Sequence, residues 1–453
     1  MLPSDPHPLR TALNRVTFGA RDVDVANVDS LGWENWVEGQ LTPPEGDEPD
    51  LAAYIQTQTM PIKYAAADEA MFPDGTWDAV NEDRPLYYLD ASTEDLWFVA
   101  TQAGKSISFT ERFRVQQELG AATWIRNTHA QYQLREFMTD FWHNHFNIGK
   151  VENQLATTLL PVFDRDVIRP NVFGNFRTLL EATAQSTSML LYLDNASNNA
   201  LAPNENYARE IMELHTLGGD AYLGVGGDAP VEKGADGVAI GFTDQDVIEA
   251  AKALSGWTIE VGQRLGGTSL PFSGKFIFLQ AQHSTAATEV LGIDISGFEG
   301  ISQAQKFLDI IAAHPATATF ICTKLCRRIF GDNPPEAVVE RAATTWLDNT
   351  NEPDQIARVL KSIILDGEEI FTEPRTKIRR PYERIIAMAR GIGSSVSAAT
   401  YMTGALDPLN DGLFAWQAPN GRPDNNGYWL ATGATLSTWN FLIAVPYIAE
   451  FTT

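Results

Sequence analysis

The sequence predicts a mainly α-helical globule with one small β excursion of two or three strands near residues 257–292. Three observations carry this reading. Apolar residues recur at three- and four-residue spacing through most of the 453-residue chain. Short runs rich in β-branched and aromatic residues are confined to Trp257-Thr258-Ile259-Glu260-Val261 and Lys275-Phe276-Ile277-Phe278-Leu279, on either side of a Gly-rich turn. The composition, 44% hydrophobic with 34 glycines, is that of an ordinary globular protein.

In chain order, helical periodicity predicts a short helix over 6–20, ending near Gly19, and a second over 30–40. Residues 41–95 are rich in Pro, Asp and Gly and read as a long loop, with Pro43-Pro44-Glu45-Gly46-Asp47 as its clearest turn. Two helices are expected between Thr110 and Phe146. Others follow over 176–193, 205–217, 244–256, 301–312, 315–330, 335–348, 353–365 and 381–392. Thr243-Asp244-Gln245-Asp246 is a capping box. His314 precedes a proline at the first helical position and is expected to cap its helix. Residues 218–241 and 393–428 read as loops. The organisation expected is one large domain over 1–453. It comprises an acidic portion over 1–100, a helical core over 101–392 and a loop-rich C-terminal portion over 393–453 that packs back.

Charge excludes one class of partner. Thirty-three Lys and Arg stand against 58 Asp and Glu, a net charge of −25. Such a field repels polyanions, so nucleic acid is not expected as a partner. Residues 1–100 hold 19 acids and 5 bases, so more than half of the excess lies in the first quarter. The one basic run, Arg375, Lys377, Arg379, Arg380 and Arg384, is expected to face the protein's own acidic surface. The apolar stretch from Trp439 to Phe451 is too short to span a bilayer and is broken by Pro446 and Glu450, so no membrane span is expected. The start, Met1-Leu2-Pro3-Ser4-Asp5, lacks the charged and apolar regions of a secretory signal. Cys322 and Cys326 share one apolar helical stripe with Ile321, Leu325 and Ile329, which points to core packing.

Three segments could carry chemistry. The first is Phe141-Trp142-His143-Asn144-His145-Phe146. Leu134, Phe137, Met138, Phe141 and His145 form one apolar stripe, and at roughly 100° per residue His143 points almost opposite to His145. The two cannot chelate one ion from a regular helix. His143 instead shares a polar face with Glu136, Asp140 and Asn147, which reads either as a ligand-bearing face or as a polar face carrying a His–Asp hydrogen bond. The second segment runs from Asn204 through Glu205, Asn206, Glu210 and Glu213 to His215 and Gly218. Asn204 suits the N-cap and Gly218 the C-terminal stop. If this helix meets the first, Glu210 and Glu213 join His143 in a carboxylate–imidazole site for a divalent metal ion. Helix capping and i,i+4 pairing account for the same residues without a ligand. The third, Asp194-Asn195-Ala196-Ser197-Asn198-Asn199, reads either as Asx turns or as oxygen ligands for a hard cation or a polar substrate, though its spacing matches no EF-hand loop. The chain has no G-x-S-x-G elbow, no phosphate-binding GxxxxGK[ST] loop and no H-E-x-x-H pair.

Taken in order, several segments closely resemble the bacterial domain of unknown function 1800 family. They are Leu13-Asn14-Arg15-Val16-Thr17-Phe18-Gly19, Phe141 to Phe146, Gly174-Asn175-Phe176-Arg177, Met189 to Asn195, and Asn204 through Gly218. Asp246-Val247 through Trp257, His314-Pro315-Ala316-Thr317-Ala318 and Trp429-Leu430 complete the set. The resemblance assigns no reaction. It implies a bacterial protein that is often exported, hence a periplasmic or secreted setting. It also implies a sulfatase-like partner of the domain of unknown function 1501 family encoded nearby. Two departures stand out. The usual His-Asp reads His283-Ser284, and the usual Gly-Trp-Pro reads Gly421-Arg422-Pro423.

Two functions follow as expectations. One is a metal-assisted enzyme of hydrolase type, with His143, Glu210 and Glu213 on the ion. In that reading Asp140, Asn204, Glu205, Asn206, His215 and His283 support the ligands or meet the substrate. The other is a non-catalytic partner or assembly factor for the sulfatase-like protein, with the acidic first quarter as its contact surface. Polar residues gathered in an open cleft favour the first; the same residues buried in satisfied networks favour the second.

Overall fold

A computed structural model describes residues 7–67, 75–149, 154–226, 231–235, 237–265, 268–400 and 411–444. The architecture is mainly α with a few short antiparallel strand pairs. Most helices lie where apolar periodicity places them: Pro8–Val16, Trp33–Leu41, Phe109–His129, Gln133–His145, Asp244–Leu254, Ile301–Ala312, Pro315–Phe330, Glu336–Asp348, Gln355–Leu365 and Pro381–Gly391. Caps fix their starts. The Thr243 side chain accepts from the Asp246 amide, and the His314 ring accepts from the Ala316 amide ahead of Pro315 at the first helical turn.

Other elements depart from the sequence reading. The helix expected over 176–193 is two, Phe176–Gln185 and Thr187–Tyr192, because Ser186 adopts an extended conformation and caps the second. Residues 41–95 are not one long loop. Pro49 opens a helix over Pro49–Gln56, and Thr59–Tyr64 pairs antiparallel with Val80–Pro85, Met60 lying opposite Arg84. Within the second strand, Asn81, Glu82 and Asp83 are exposed, so it has no apolar alternation from which it could be read. The helices Asp22–Leu31 and Thr93–Gln102 were likewise not anticipated; the first buries only Val28. The β excursion near 257–292 is present as Trp257–Ile259 paired with Phe276–Phe278, Trp257 facing Phe278, with a two-residue pair at 264–265/268–269 and another at 289–290/293–294.

A single cluster of buried apolar side chains runs from Ala12 to Ala398 and includes Trp142, Trp257 and Trp346. Complete burial of side chains of this size supplies on the order of 2–3 kcal/mol each. Cys322 and Cys326 are free thiols, fully buried in this core. The Gln133–His145 helix, called here the histidine helix, runs through it, with Leu134, Met138 and Trp142 completely enclosed.

Within the C-terminal portion, residues 401–410 and 445–453 lie outside the described residues. Residues 411–423 form a strap over the end of the histidine helix. Asn147 donates to the carbonyls of Trp416 (3.1 Å) and Ala418 (2.8 Å), and Tyr192 donates to that of Gln417 (2.7 Å). The Asn144 amide group donates to the Arg422 carbonyl at 3.1 Å and its oxygen accepts the Arg422 N–H at 2.7 Å. Gly421 sits at φ 74°, where an added Cβ would lie 2.1 Å from the Asn144 carbonyl oxygen, so this crossing requires glycine. No helix among the described residues is long and apolar enough to cross a membrane.

Candidate functional site

The histidine helix ends between two turns wound as π-helix, Phe163–Ile168 and Ile211–His215. Such turns are rare and frequent at functional sites, because the wider winding displaces side chains and frees carbonyls for other partners. Each meets one of the two histidines.

The first π-turn brings Asp164 to His143, with Nε2 2.9 Å from Oδ1. Five residues on, Arg169 folds back and donates from Nε to Asp164 Oδ2 at 2.9 Å, and through its terminal nitrogens to Glu136 at 3.1 and 2.8 Å. Arg135 joins the same carboxylate at 3.0 Å and reaches Glu48. Burial opposes ionisation of Asp164, yet Arg169, His143 and Arg126 outweigh it and hold its carboxyl well below the usual carboxylate range. Asp164 is therefore an ionised acceptor that orients the His143 ring. Phe414, itself at φ 55°, packs edge-on to that ring with centroids 5.1 Å apart, and Phe163 lies at 5.7 Å. The cavity at this point, among Thr139, Asp140, His143, Asn147 and Arg422, measures about 20 Å³. That is room for roughly one water molecule.

The second π-turn presents the His215 carbonyl to His145. The His145 Nε2–H donates to it at 3.1 Å, and the Lys324 amine donates to Nδ1 at 2.8 Å. Burial lowers the Lys324 pKa to about 8, with Arg327 adding to the effect against Asp424. Burial, then Lys324, then His215 hold His145 neutral far below the ordinary histidine range. The His215 ring is fully buried, neither nitrogen has a hydrogen-bond partner among the described residues, and burial with Lys324 lowers its pKa to about 3. Lys324 and Arg328 belong to the Pro315–Phe330 helix. Arg328 donates to Asp140 (2.9 Å) and to Glu383 and lies over the Phe137 ring at 3.9 Å, so that helix is tied to the histidine helix at two levels.

The remaining expected site residues fall as follows. Asp140 accepts from Arg328 and Arg380 rather than from His143. Asn204 caps its helix, accepting the Asn206 N–H at 3.0 Å, and Asn206 donates to the Leu193 carbonyl at 3.2 Å. Glu205 is exposed, 3.8 Å from Arg209. His283 is buried with Nδ1 3.0 Å from the Ser255 carbonyl, and the neighbouring Ser284 N–H donates to the Ser255 hydroxyl. Glu210 and Glu213 are half-buried and make no ion pair among the described residues; burial, then the neighbouring Glu213 charge, raises the Glu210 pKa. Among the described residues no three His, Cys, Asp or Glu side chains converge in a group able to hold a metal ion, so His143, Glu210 and Glu213 do not form such a cluster there.

Asp164, Arg169 and Lys324 were not singled out in the sequence. Asp164 and Arg169 are five apart, a spacing outside the i,i+3 and i,i+4 pairs of a regular α-helix and brought together here by the π-turn. Lys324 and Arg328 carried a weak signal, two cations four apart on one face of a helix that also holds Arg327.

A family model described as a protein of unknown function (DUF1800) matches residues 11–446. No curated protein and no solved structure matches.

Proposed function

Since the chain belongs to the domain of unknown function 1800 family, whose description assigns no reaction, we propose from its own geometry that it acts by binding, as a non-catalytic partner or assembly factor. The observation that supports this is where the motif side chains are engaged. Asp140, His143, His145, Asn206 and His283 each bond a neighbouring segment, and the space left beside His143 is about 20 Å³. A reaction site needs room for a substrate, on the order of 300 Å³ or more for a small organic molecule. The sulfatase-like protein implied by the family resemblance is the candidate partner, and the acidic first hundred residues are the candidate contact surface. Co-elution of the two purified proteins in size-exclusion chromatography is the test. A complex that weakens as salt rises supports the reading, and separate elution at low salt overturns it.

A second reading rests on the His143–Asp164 pair, which has the orientation of a general base held by a carboxylate. In that reading the 411–423 strap opens to admit substrate. The metal-assisted form further requires Glu210 and Glu213 to reach the ion held by His143.

A further inference from the structure

A cavity of about 310 Å³ opens beside Phe137 of the histidine helix, between the N-terminal Pro8–Val16 helix and the segment 375–383. In a chain of net charge −25 it is lined by five cationic side chains, Arg15, Arg328, Arg375, Lys377 and Arg379, and one carboxylate, Glu383.

Their partners show how little of this charge is neutralised. Lys377 is paired with Asp424 at 2.7 Å, and Arg328 with Glu383 and Asp140. Among the described residues, Arg15 bonds only to the carbonyls of Glu373 and Pro374, and Arg379 only to the carbonyl and side-chain oxygens of Asn14, both at 3.0 Å. Arg375 stands exposed with no ion pair among the described residues. The Nε–H groups of Arg15 and Arg328 are buried with no acceptor among the described residues. The basic run was expected to face the protein's own acids; Arg380 and Lys377 make such pairs, while among the described residues Arg375, Arg379 and Arg384 make no ion pair, Arg384 donating to the Arg379 carbonyl. The Glu373 and Glu383 charges act on Arg15 and Arg379 without forming an ion pair with either, and burial still lowers both pKa values, so an anion joining these groups would offset that cost. Phe18, Phe137 and Ile329 give the cavity an apolar wall beside these donors.

We propose that this cavity is a binding site for a phosphate monoester dianion, with Arg15, Arg375 and Arg379 on the phosphate and the Phe18–Phe137–Ile329 wall against an apolar body. The excess of cations over carboxylates favours a doubly charged head, and guanidinium forks match the tetrahedral oxygens of phosphate. This site is independent of whether the protein is catalytic.

Calorimetric titration of the full chain at pH 7.5 with phenyl phosphate, inorganic phosphate and phenyl sulfate, at matched ionic strength, tests it. Phenyl sulfate has the same shape with one charge fewer, so binding at least fivefold weaker than that of phenyl phosphate is expected. Arg375→Ala removes an exposed side chain without ion pairs, so the fold is retained, and at least fivefold weaker binding of both phosphates is expected. Arg379→Gln is expected to weaken both at least tenfold, with far-UV circular dichroism as its folding control. Phenyl phosphate is expected to bind more tightly than inorganic phosphate, because its ring meets the apolar wall; equal affinities for the two would overturn the monoester assignment. No binding, equal affinity for phenyl phosphate and phenyl sulfate, or affinities unchanged in both variants would overturn the proposal.

Discussion

At the scale of single residues, the two histidines of the Phe141–Phe146 segment have opposite environments two positions apart. His143 is held by an ionised carboxylate, and His145 by a lysine amine and a carbonyl. Removing His143 leaves Asp164 with Arg169, so the charge stays paired and only one bond is lost. His143→Gln is therefore expected to lower the unfolding free energy by about 1–3 kcal/mol. Asp164→Asn removes one of the two carboxylates bonded to Arg169, which keeps Glu136, and also the ionised acceptor of His143, so its loss should exceed that of His143→Gln. Urea denaturation of the three proteins measures both, and the ordering of the two losses is the prediction. His215 gives a contrary case. An unfolded histidine takes up a proton near pH 6.5, whereas this buried ring does so only near 3. Between those values the unfolded chain binds more protons, so stability falls as the pH drops through that window. His215→Leu removes two unbonded ring nitrogens. It should be at least as stable as the wild type at pH 7 and lose less stability between pH 6.5 and 4.5, read from urea midpoints at the two pH values.

Whole elements show which parts of the site the sequence can reveal. Regular helices with a clean apolar stripe, such as Ile301–Ala312 and Pro315–Phe330, appear at their expected bounds because the 3.6-residue period is itself the signal. The Glu205–Gly218 segment breaks that logic. A regular helix was expected to 217, but the backbone is α-helical only over Glu205–Glu210 and then widens to a π-turn, which rotates Glu213 and His215 away from their projected places. Asp164 was invisible for the same reason. The strap makes a prediction at this scale. Gly421→Ala would set a Cβ against the Asn144 carbonyl at a positive φ and should cost on the order of 1–3 kcal/mol. Gly39→Ala, on an exposed helical turn with nothing within 4 Å of the new methyl, should instead stabilise by about 0.4–1 kcal/mol. Denaturation midpoints moving in opposite directions check the pair.

For the whole molecule, the fold class and the family were both legible, since periodicity and ordered motifs are properties of the chain itself. The proposed site was legible only in part. The polar face of the histidine helix was recognised, with Glu136, Asp140 and His143 on it, but its partners come from residues far away in sequence: Arg169, Arg328 and Arg380. Nothing local in a sequence encodes which arginine will arrive at which carboxylate. The same distance hid the cationic cavity, whose walls come from residues 14–18, 137, 328–329 and 375–383. On the function proposed above, the motif histidines brace the fold instead of ligating a catalytic metal. The most direct test of this role is elemental analysis of untagged protein beside His143→Gln, with urea unfolding of both. Substoichiometric metal is expected in each, with a lower unfolding free energy in the variant. Near-stoichiometric metal in the wild type, lost in the variant at unchanged stability, would contradict it.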